Sequence, residues 1–280
     1  MRFRTFLFAV GVVFASIAHA GPYAPAAGQP GSTAISGNDA SIVGWATDYL
    51  NYLPGPNVSA TFKTPQNALG AANPSSTVSL GDNGVITLTF GGAIFNGAGA
   101  DFAVFENSFS DTFLELAWVE VSSDGTHFFR FPGFSFTANP VSSFGTIDPT
   151  NLDGLAGKYR GGFGTPFDLG LLSGVPGLNV NDVRYVRIVD ILGDGSVLDS
   201  YPGSSPACPP CNGPHHIYDP TPTVDSGGFD LDAVGVMHLA PVPEPSTVVL
   251  LCAGAMLLWL SALGRRRNAS VVPLDLTQRG

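Results

Sequence analysis

Short segments of alternating apolar and polar residues, separated by turns rich in glycine and proline, make up most of the chain from residue 78 onward. The 35 glycines and 23 prolines are spread between these segments rather than gathered in one stretch. A period of two is typical of strands that bury one face, and frequent turns are typical of antiparallel sheets. The clearest candidate strands are VITLTF at 85–90, LAWVEVSSDG at 116–125, VRYVRIVDIL at 183–192 and FDLDAVGVMHL at 229–239. The pattern predicts an all-β fold, either a sandwich or a barrel.

Two segments are predicted to be helical instead. In SIVGWATDYLNYL, at 41–53, the apolar residues recur at helical spacing, and the proline at position 54 would end the helix. The residues on that predicted apolar face are Ile42, Trp45, Ala46, Tyr49 and Leu50. A second short helix is predicted within residues 150–159.

The first 20 residues have the three parts of a secretory signal peptide. Arg2 and Arg4 supply the positive end, a mostly apolar stretch follows, and small residues flank the candidate cleavage site. Cleavage by signal peptidase is predicted after Ala20, so the chain is expected to be exported. The Gly-, Ala- and Pro-rich residues 21–40 are predicted to form a flexible N-terminal arm. Residues 41–240 are then long enough for one β-sandwich domain.

Charge is distributed unevenly along the chain. Residues 21–247 carry 21 acidic and six basic side chains, a net charge of −15. A surface of this sign repels nucleic acid and anionic lipid head groups and attracts divalent cations. We therefore predict no nucleic-acid partner. The alternative role of the charge is simply to keep a secreted protein soluble.

The C-terminal residues 241–267 combine a Pro-Glu-Pro turn, an apolar run and an arginine cluster in direct succession. Residues 248–264 predict a single transmembrane helix, although the apolar run 248–263 would span only roughly 24 Å. The arginines would keep their end of the helix in the cytoplasm and the body outside. The residues that carry the pattern are Pro243, Glu244, Pro245, Arg265, Arg266 and Arg267.

This order of elements resembles the PEP-CTERM sorting signal of Gram-negative secreted proteins. The resemblance implies processing near the motif by exosortase, a membrane protease-transpeptidase, after transient anchoring in the membrane. It also implies a final location at the cell surface or in the extracellular matrix. The short polar tail 268–280 departs from the usual signal, which stops soon after the arginines.

The body is similar to cell-surface proteins that carry such signals, through stretches such as GADFAVFENSF at 99–109 and IYDPTPTVDSGGFDLDAVGV at 217–236. VEVSSDGTHFFRF, at 119–131, also resembles a hairpin of discoidin-like and galactose-binding-like jelly rolls. The resemblance implies a jelly-roll-like sandwich of a type that often binds sugars or calcium. Exopolysaccharide is accordingly an expected partner.

Acidic residues near strand ends are the best candidates for a site. Asp230 and Asp232 stand two apart on a predicted strand, so both carboxylates are expected on one side, at the rim of the sandwich. In the jelly rolls that the body resembles, a structural calcium often bridges the first and last strands, and Glu106 and Asp190 would complete such a site with this pair. Asp219 and Asp225, in the preceding loop, are further candidates. Calcium takes six to eight oxygen ligands. The alternative is that these acids cap turns and face water.

The segment CPPCNGPHH, at 208–216, has two interpretations. In an oxidising exterior, a local disulfide between Cys208 and Cys211 is favoured. Alternatively, the two cysteines with His215 and His216 could bind zinc or copper.

Support for catalysis is thin. The chain has no Gly-x-Ser-x-Gly or His-Glu-x-x-His motif. Glu115 and Glu120 could form a carboxylate pair for glycoside hydrolysis, but five residues apart on one extended strand they would lie on opposite faces. We predict a non-enzymatic surface protein, structural or associated with polysaccharide. A secreted glycan-acting hydrolase is the alternative.

Overall fold

The computed structural model describes residues 21–202, 213–224, 226–241 and 253–259. The chain divides into two compact units, 1–240 and 241–280. Short 3-10 helices lie at Ala60–Phe62, Pro65–Ala68, Pro149–Asn151 and Leu169–Leu172. The strands are β1 (Ile35–Ser36), β2 (Gly44–Leu53), β3 (Val78–Ser79), β4 (Val85–Ile94), β5 (Phe102–Glu106), β6 (Ala117–Ser122), β7 (Phe129–Arg130), β8 (Phe134–Ser135), β9 (Leu152–Asp153), β10 (Phe163–Phe167), β11 (Val183–Asp190), β12 (Asp194–Leu198), β13 (His216–Tyr218), β14 (Asp230–Val236) and β15 (Leu239–Pro241).

Most strands belong to one antiparallel sheet with the order β1-β10-β5-β14-β2-β4-β11-β6-β7. Strand β2 turns this sheet, because Gly44 and Trp45 pair with β14 whereas the residues from Ala46 onward pair with β4. The sheet curls as a result into an antiparallel half-barrel. The predicted all-β fold is confirmed, and the curled sheet is consistent with a sandwich. Two further strands join this sheet, β3 beside β14 and β15 beside β4, and the remaining four form two small sheets, β8-β9 and β12-β13.

The main hydrophobic core fills the inside of the curl. Alternate residues of the long strands point into it, as the period of two predicts. In strand β4, for example, Ile86 and Leu88 are fully buried members of this core. Strands β6, β11 and β14 contribute the facing residues Val119, Val121, Val186, Ile188, Val234 and Val236.

The two helix predictions are wrong. Residues 44–53 form strand β2, and the segment 150–159 contains the end of a 3-10 turn followed by β9. Strand β2 shifts register against β4 between Ala46 and Asp48 and again between Leu50 and Leu53. These shifts give its inward side chains an irregular spacing that a helical period also fits.

The N-terminal segment contacts the body at several points. The Gly21 amide donates to Thr150 Oγ1 (2.8 Å), and the Tyr23 ring stacks on Phe136 at 5.5 Å between centroids. Ala27 is buried. The arm predicted to be flexible thus packs against the domain through defined contacts.

In the second unit, residues 253–259 are helical. Across the described residues, no helix is long and apolar enough to cross a membrane. Most of the predicted span 248–264 lies outside the described residues. Several predicted functional residues also lie outside them: Ala20, Cys208, Cys211, Asp225, Pro243, Glu244, Pro245, Arg265, Arg266 and Arg267.

Candidate cation site

Five buried carboxylates meet at one rim of the curled sheet. Strand β5 ends at Glu106 and pairs antiparallel with β14, which begins at Asp230. Asp190, at the end of β11, reaches the same place because it accepts from the amide of Phe229, the neighbour of Asp230. Glu115 precedes β6, and Asp219 follows β13. We call these five residues the carboxylate cluster. Three of the predicted calcium ligands, Glu106, Asp190 and Asp230, are therefore neighbours.

Backbone amides hold most of these carboxylates in place. The Ser108 amide donates to Glu106 Oε2 (2.7 Å), and the Gly228 amide donates to Glu115 Oε1 (3.0 Å). Leu116 donates in the same way to Asp219 Oδ2 (2.9 Å). Each amide fixes one oxygen of its carboxylate. The second oxygen of each carboxylate then remains to be satisfied by another donor or by a cation.

Asp190 is the best-satisfied member of the cluster. The Phe229 amide donates to its Oδ1 (2.8 Å), and the Asn83 amide donates to its Oδ2 (2.9 Å). Asp230 instead accepts from the Ser79 hydroxyl. In contrast, Glu106 Oε1 is buried and has no hydrogen-bond partner within the described part of the chain. A buried acceptor without a partner is costly, so this oxygen marks an incomplete site.

Burial raises the pKa of every member of the cluster, and repulsion from neighbouring carboxylates raises it further for all but Asp230. Burial raises the pKa of Glu106 well above its usual range, and the charges of Glu115 and Asp230 raise it further. Burial, then the charge of Asp230, raises the pKa of Glu115 to about 9. Burial also raises the pKa of Asp190 to about 8, that of Asp230 to about 6, and that of Asp219 well above its usual range. The cluster therefore needs positive charge or protons to remain buried.

Basic side chains do not supply that charge. Arg130 and Arg187 both pair with Glu120, Arg160 pairs with Asp111, and buried Lys158 donates to the Leu152 carbonyl (2.6 Å). Among the described residues, no lysine, arginine or histidine forms an ion pair with a member of the cluster. Protons or a cation from solution must neutralise it.

The donor set suits a hard cation. All members offer carboxylate oxygens, the ligands of calcium and magnesium, and none offers nitrogen or sulfur. Within the described residues, however, three or more such side chains do not converge at metal-binding distance. A bound cation would require side-chain rotation, and water or carbonyl oxygens to complete its coordination.

Asp232 has a different environment from Asp230. The Asn73 amide donates to its Oδ1 (2.6 Å), its Oδ2 is buried without a partner among the described residues, and burial raises its pKa to about 6. The register of β14 against β5 shifts between Leu231 and Ala233. Leu231 and Val234 consequently both pack into the main core, although strict alternation would place them on opposite faces. The strict alternation that would continue the face of Asp230 and Asp232 into Val234 and Val236 is therefore interrupted within β14.

Glu115 lies apart from Glu120, the residue with which it could have formed a catalytic pair. Glu120 lies between Arg130 (2.8 Å) and the guanidinium of Arg187. Glu115 joins the carboxylate cluster through the amide of Gly228. No local pattern indicates the contact between Glu115 and Gly228, because these two residues are 113 positions apart in the chain.

The two histidines of the CPPCNGPHH segment each have a fixed ring nitrogen. His215 Nδ1 contacts Asp199 Oδ2 (2.9 Å), and His216 Nδ1 contacts the Gly195 carbonyl (2.6 Å). His215 Nε2 is buried without a partner among the described residues. Because both cysteines lie outside those residues, the disulfide and the zinc or copper site stay predictions.

Comparison with known proteins found no family model that matches the chain, no similar curated protein and no similar solved structure. The carboxylate cluster is the arrangement in the described residues that bears most directly on function. Either bound protons or a divalent cation would neutralise it.

Proposed function

We propose that the chain is an exported, non-enzymatic protein of the cell surface or extracellular matrix. We further propose that calcium binds at the carboxylate cluster and stabilises the β-fold. The observation that carries the calcium proposal is the burial of five carboxylates without a basic partner in the described part of the chain, together with the unpartnered oxygen Glu106 Oε1. A cation would compensate the repulsion and supply the missing partner in one step.

Calcium fits this cluster better than magnesium. Calcium accepts six to eight ligands in flexible geometry, whereas magnesium requires a near-ideal octahedron and gives up its water reluctantly. Carboxylates fixed from different strands by backbone amides cannot easily adopt that octahedron. Exported proteins also meet calcium directly in their surroundings.

Thermal unfolding in calcium and in EDTA tests the proposal. At a calcium concentration about 100 times the dissociation constant, binding adds about 2.7 kcal/mol of stability. For a domain of this size, this corresponds to a rise in Tm of roughly 5–10 °C. Magnesium should give a smaller rise. The variants Glu106→Gln and Asp230→Asn should each reduce the calcium-dependent rise, because each removes a negative ligand.

Asp101→Asn is the matched control. Asp101 is equally buried, but it accepts from the Gly97 and Leu169 amides and contacts His238, outside the cluster. Any fall in Tm in this variant should be the same in both buffers, so the difference between them should be kept. Equal Tm of the unmodified protein in calcium and EDTA would overturn the calcium proposal.

Export and anchoring belong to the same proposal and rest on the sequence. The signal peptide, the PEP-CTERM-like segment 241–267 and the predicted helix 248–264 support insertion followed by exosortase processing. Mass spectrometry of the mature protein from its own host should find Gly21 at the N-terminus and a C-terminus near the Pro-Glu-Pro motif. A mature chain that retains residues 248–280 would identify a permanent anchor instead.

The competing function is a secreted glycan-acting hydrolase. Glu115 supports it, because its carboxyl group has a pKa of about 9 and is therefore protonated at neutral pH. A general acid in glycoside hydrolysis must be protonated in this way. Turnover of a polysaccharide that is lost in Glu115→Gln would favour this alternative. A jelly-roll-like sandwich that associates with polysaccharide without cleaving it is the form of the surface role that we favour.

A further inference from the structure

The N-terminal segment packs along one side of the domain and covers an edge of the main sheet. The Tyr23 amide donates to the Thr150 carbonyl (3.0 Å), and the Arg160 guanidinium donates to the Ala27 carbonyl (3.0 Å). The segment then becomes β1, which pairs with β10, and β10 pairs on its other side with β5. Without this segment, β10 would be an open edge, which invites unwanted pairing with other strands. We call residues 21–36 the N-terminal strap.

The first residue of the N-terminal strap lies among oxygen atoms. The Gly21 amide donates to Thr150 Oγ1 (2.8 Å), and Thr150 Oγ1 donates its own proton to Asp148 Oδ1 (2.7 Å). The Thr150 carbonyl oxygen and Asn151 Oδ1 lie so close to Gly21 that an added Cβ would collide with both. Gly21 thus faces three acceptor oxygens, whereas a peptide amide has only one proton to donate.

Removal of the signal peptide would change the nitrogen of Gly21. Cleavage after Ala20 converts this amide into an α-amino group, which at neutral pH is mostly an ammonium ion with three protons and a positive charge. One proton can stay with Thr150 Oγ1, and the others are available to the neighbouring oxygens of Thr150 and Asn151. Hydrogen bonds from a charged donor are about twice as strong as those between neutral groups. The Asp148 carboxylate, which is bonded to Thr150 Oγ1, also attracts the new charge.

We propose that Thr150 and Asn151 form a binding site for the α-ammonium group of Gly21, and that this contact fastens the N-terminal strap once the signal peptide is removed. The proposal rests on the export proposed above, with cleavage after Ala20. The site selects glycine, because a side chain at position 21 would collide with the two flanking oxygens. Cleavage then has a second consequence besides release of the chain, which is firmer closure of the sheet edge at β10.

The chain that begins at residue 21, prepared with a free and with an Nα-acetylated N-terminus, tests the proposal. Acetylation keeps one N–H group but removes the positive charge and two protons. We expect the acetylated form to have a Tm lower by roughly 2–4 °C, in calcium and in EDTA alike. Hydrogen exchange of the segment 24–32, where the Gln29 and Ser32 amides are hydrogen-bonded, should become about threefold faster because the strap undocks more often. Exchange in β4 should not change.

Three substitutions identify the acceptor oxygens through the difference in Tm between the free and acetylated forms. Thr150→Val removes one acceptor with little change of shape, so the difference should fall by about half. Asn151→Asp places a carboxylate beside the ammonium group, so the difference should widen, which a merely steric role of this terminus would not produce. Thr87→Val is the matched control, because Thr87 is also buried but lies on β4, three strands away from β10 in the main sheet. It should leave the difference unchanged.

Three outcomes would overturn the proposal: the free and acetylated forms have equal Tm, the segment 24–32 exchanges equally fast in both, or Thr150→Val keeps the full difference in Tm. If Thr150→Val fails to fold, an unchanged or smaller difference in Asn151→Asp has the same meaning. Failure of the export proposal is seen separately, because mass spectrometry of the native protein would then find an N-terminus other than Gly21. The comparison of the two purified forms does not depend on that result.

Discussion

Gly21 stands where only a residue without a side chain fits. A Cβ added at this position would lie 2.2 Å from the Thr150 carbonyl oxygen and 2.5 Å from Asn151 Oδ1. The amide of Gly21 donates to Thr150 Oγ1, which in turn donates to Asp148 Oδ1. If signal peptidase cleaves after residue 20, the new α-ammonium group would occupy this position, close to acceptor oxygens.

In the protein that begins at residue 21, we expect Gly21→Ala to undock the terminus. Loss of one hydrogen bond costs about 1 kcal/mol, which corresponds to a fall in Tm of roughly 2–4 °C. Gly91→Ala is the matched control, because a Cβ there meets open space and its backbone is not in the left-handed region. Scanning calorimetry of both variants makes the measurement. A Gly21→Ala variant as stable as the parent would show that the terminus contributes nothing.

At the level of elements, regular strands could be predicted and irregular ones could not. Strand β4 alternates without interruption over Ile86 and Leu88, and its buried face was correct from sequence. In β2, register shifts place Ala46, Tyr49 and Tyr52 toward the main core, three residues apart. This spacing is close to a helical turn of 3.6 residues, so a periodicity argument selects a helix. The segment forms a strand because it pairs with β4 and β14, and local sequence does not encode this pairing.

The candidate site was predictable to the same extent. The strand pattern predicted Asp230 at the rim of the sheet, and the resemblance to jelly rolls added Glu106 and Asp190. The structure places these three carboxylates near one another. The pattern gave no sign of the register shift in β14 between Leu231 and Ala233, on either side of Asp232. It also failed for Glu115, whose partner Gly228 belongs to a distant loop. Loop packing and bulges depend on long-range contacts, so they lie beyond the reach of local sequence pattern.

For the whole molecule, burial of the cluster makes stability depend on pH. Carboxyl groups in an unfolded chain titrate near pH 4, whereas the folded chain raises the pKa of Asp230 to about 6, of Asp190 to about 8 and of Glu115 to about 9. Between these limits the folded state binds more protons than the unfolded state. The contribution of the cluster to stability without a cation is therefore complete below about pH 4 and declines as pH rises above it. Lys158, whose pKa burial lowers to about 8, has the opposite effect only above that pH.

We expect Tm in EDTA to fall steadily from pH 5 to pH 8, and Tm in calcium to fall much less. Calcium binds the ionised carboxylates, so its stabilising effect should grow as protons leave the cluster. Differential scanning calorimetry across this interval measures both curves. The double variant Glu115→Gln with Asp190→Asn should flatten the EDTA curve, because amides of the same shape neither titrate nor repel. A Tm in EDTA that rises with pH would mean that the cluster is ionised and stabilising without a cation, and it would contradict both the burial argument and the role proposed for calcium.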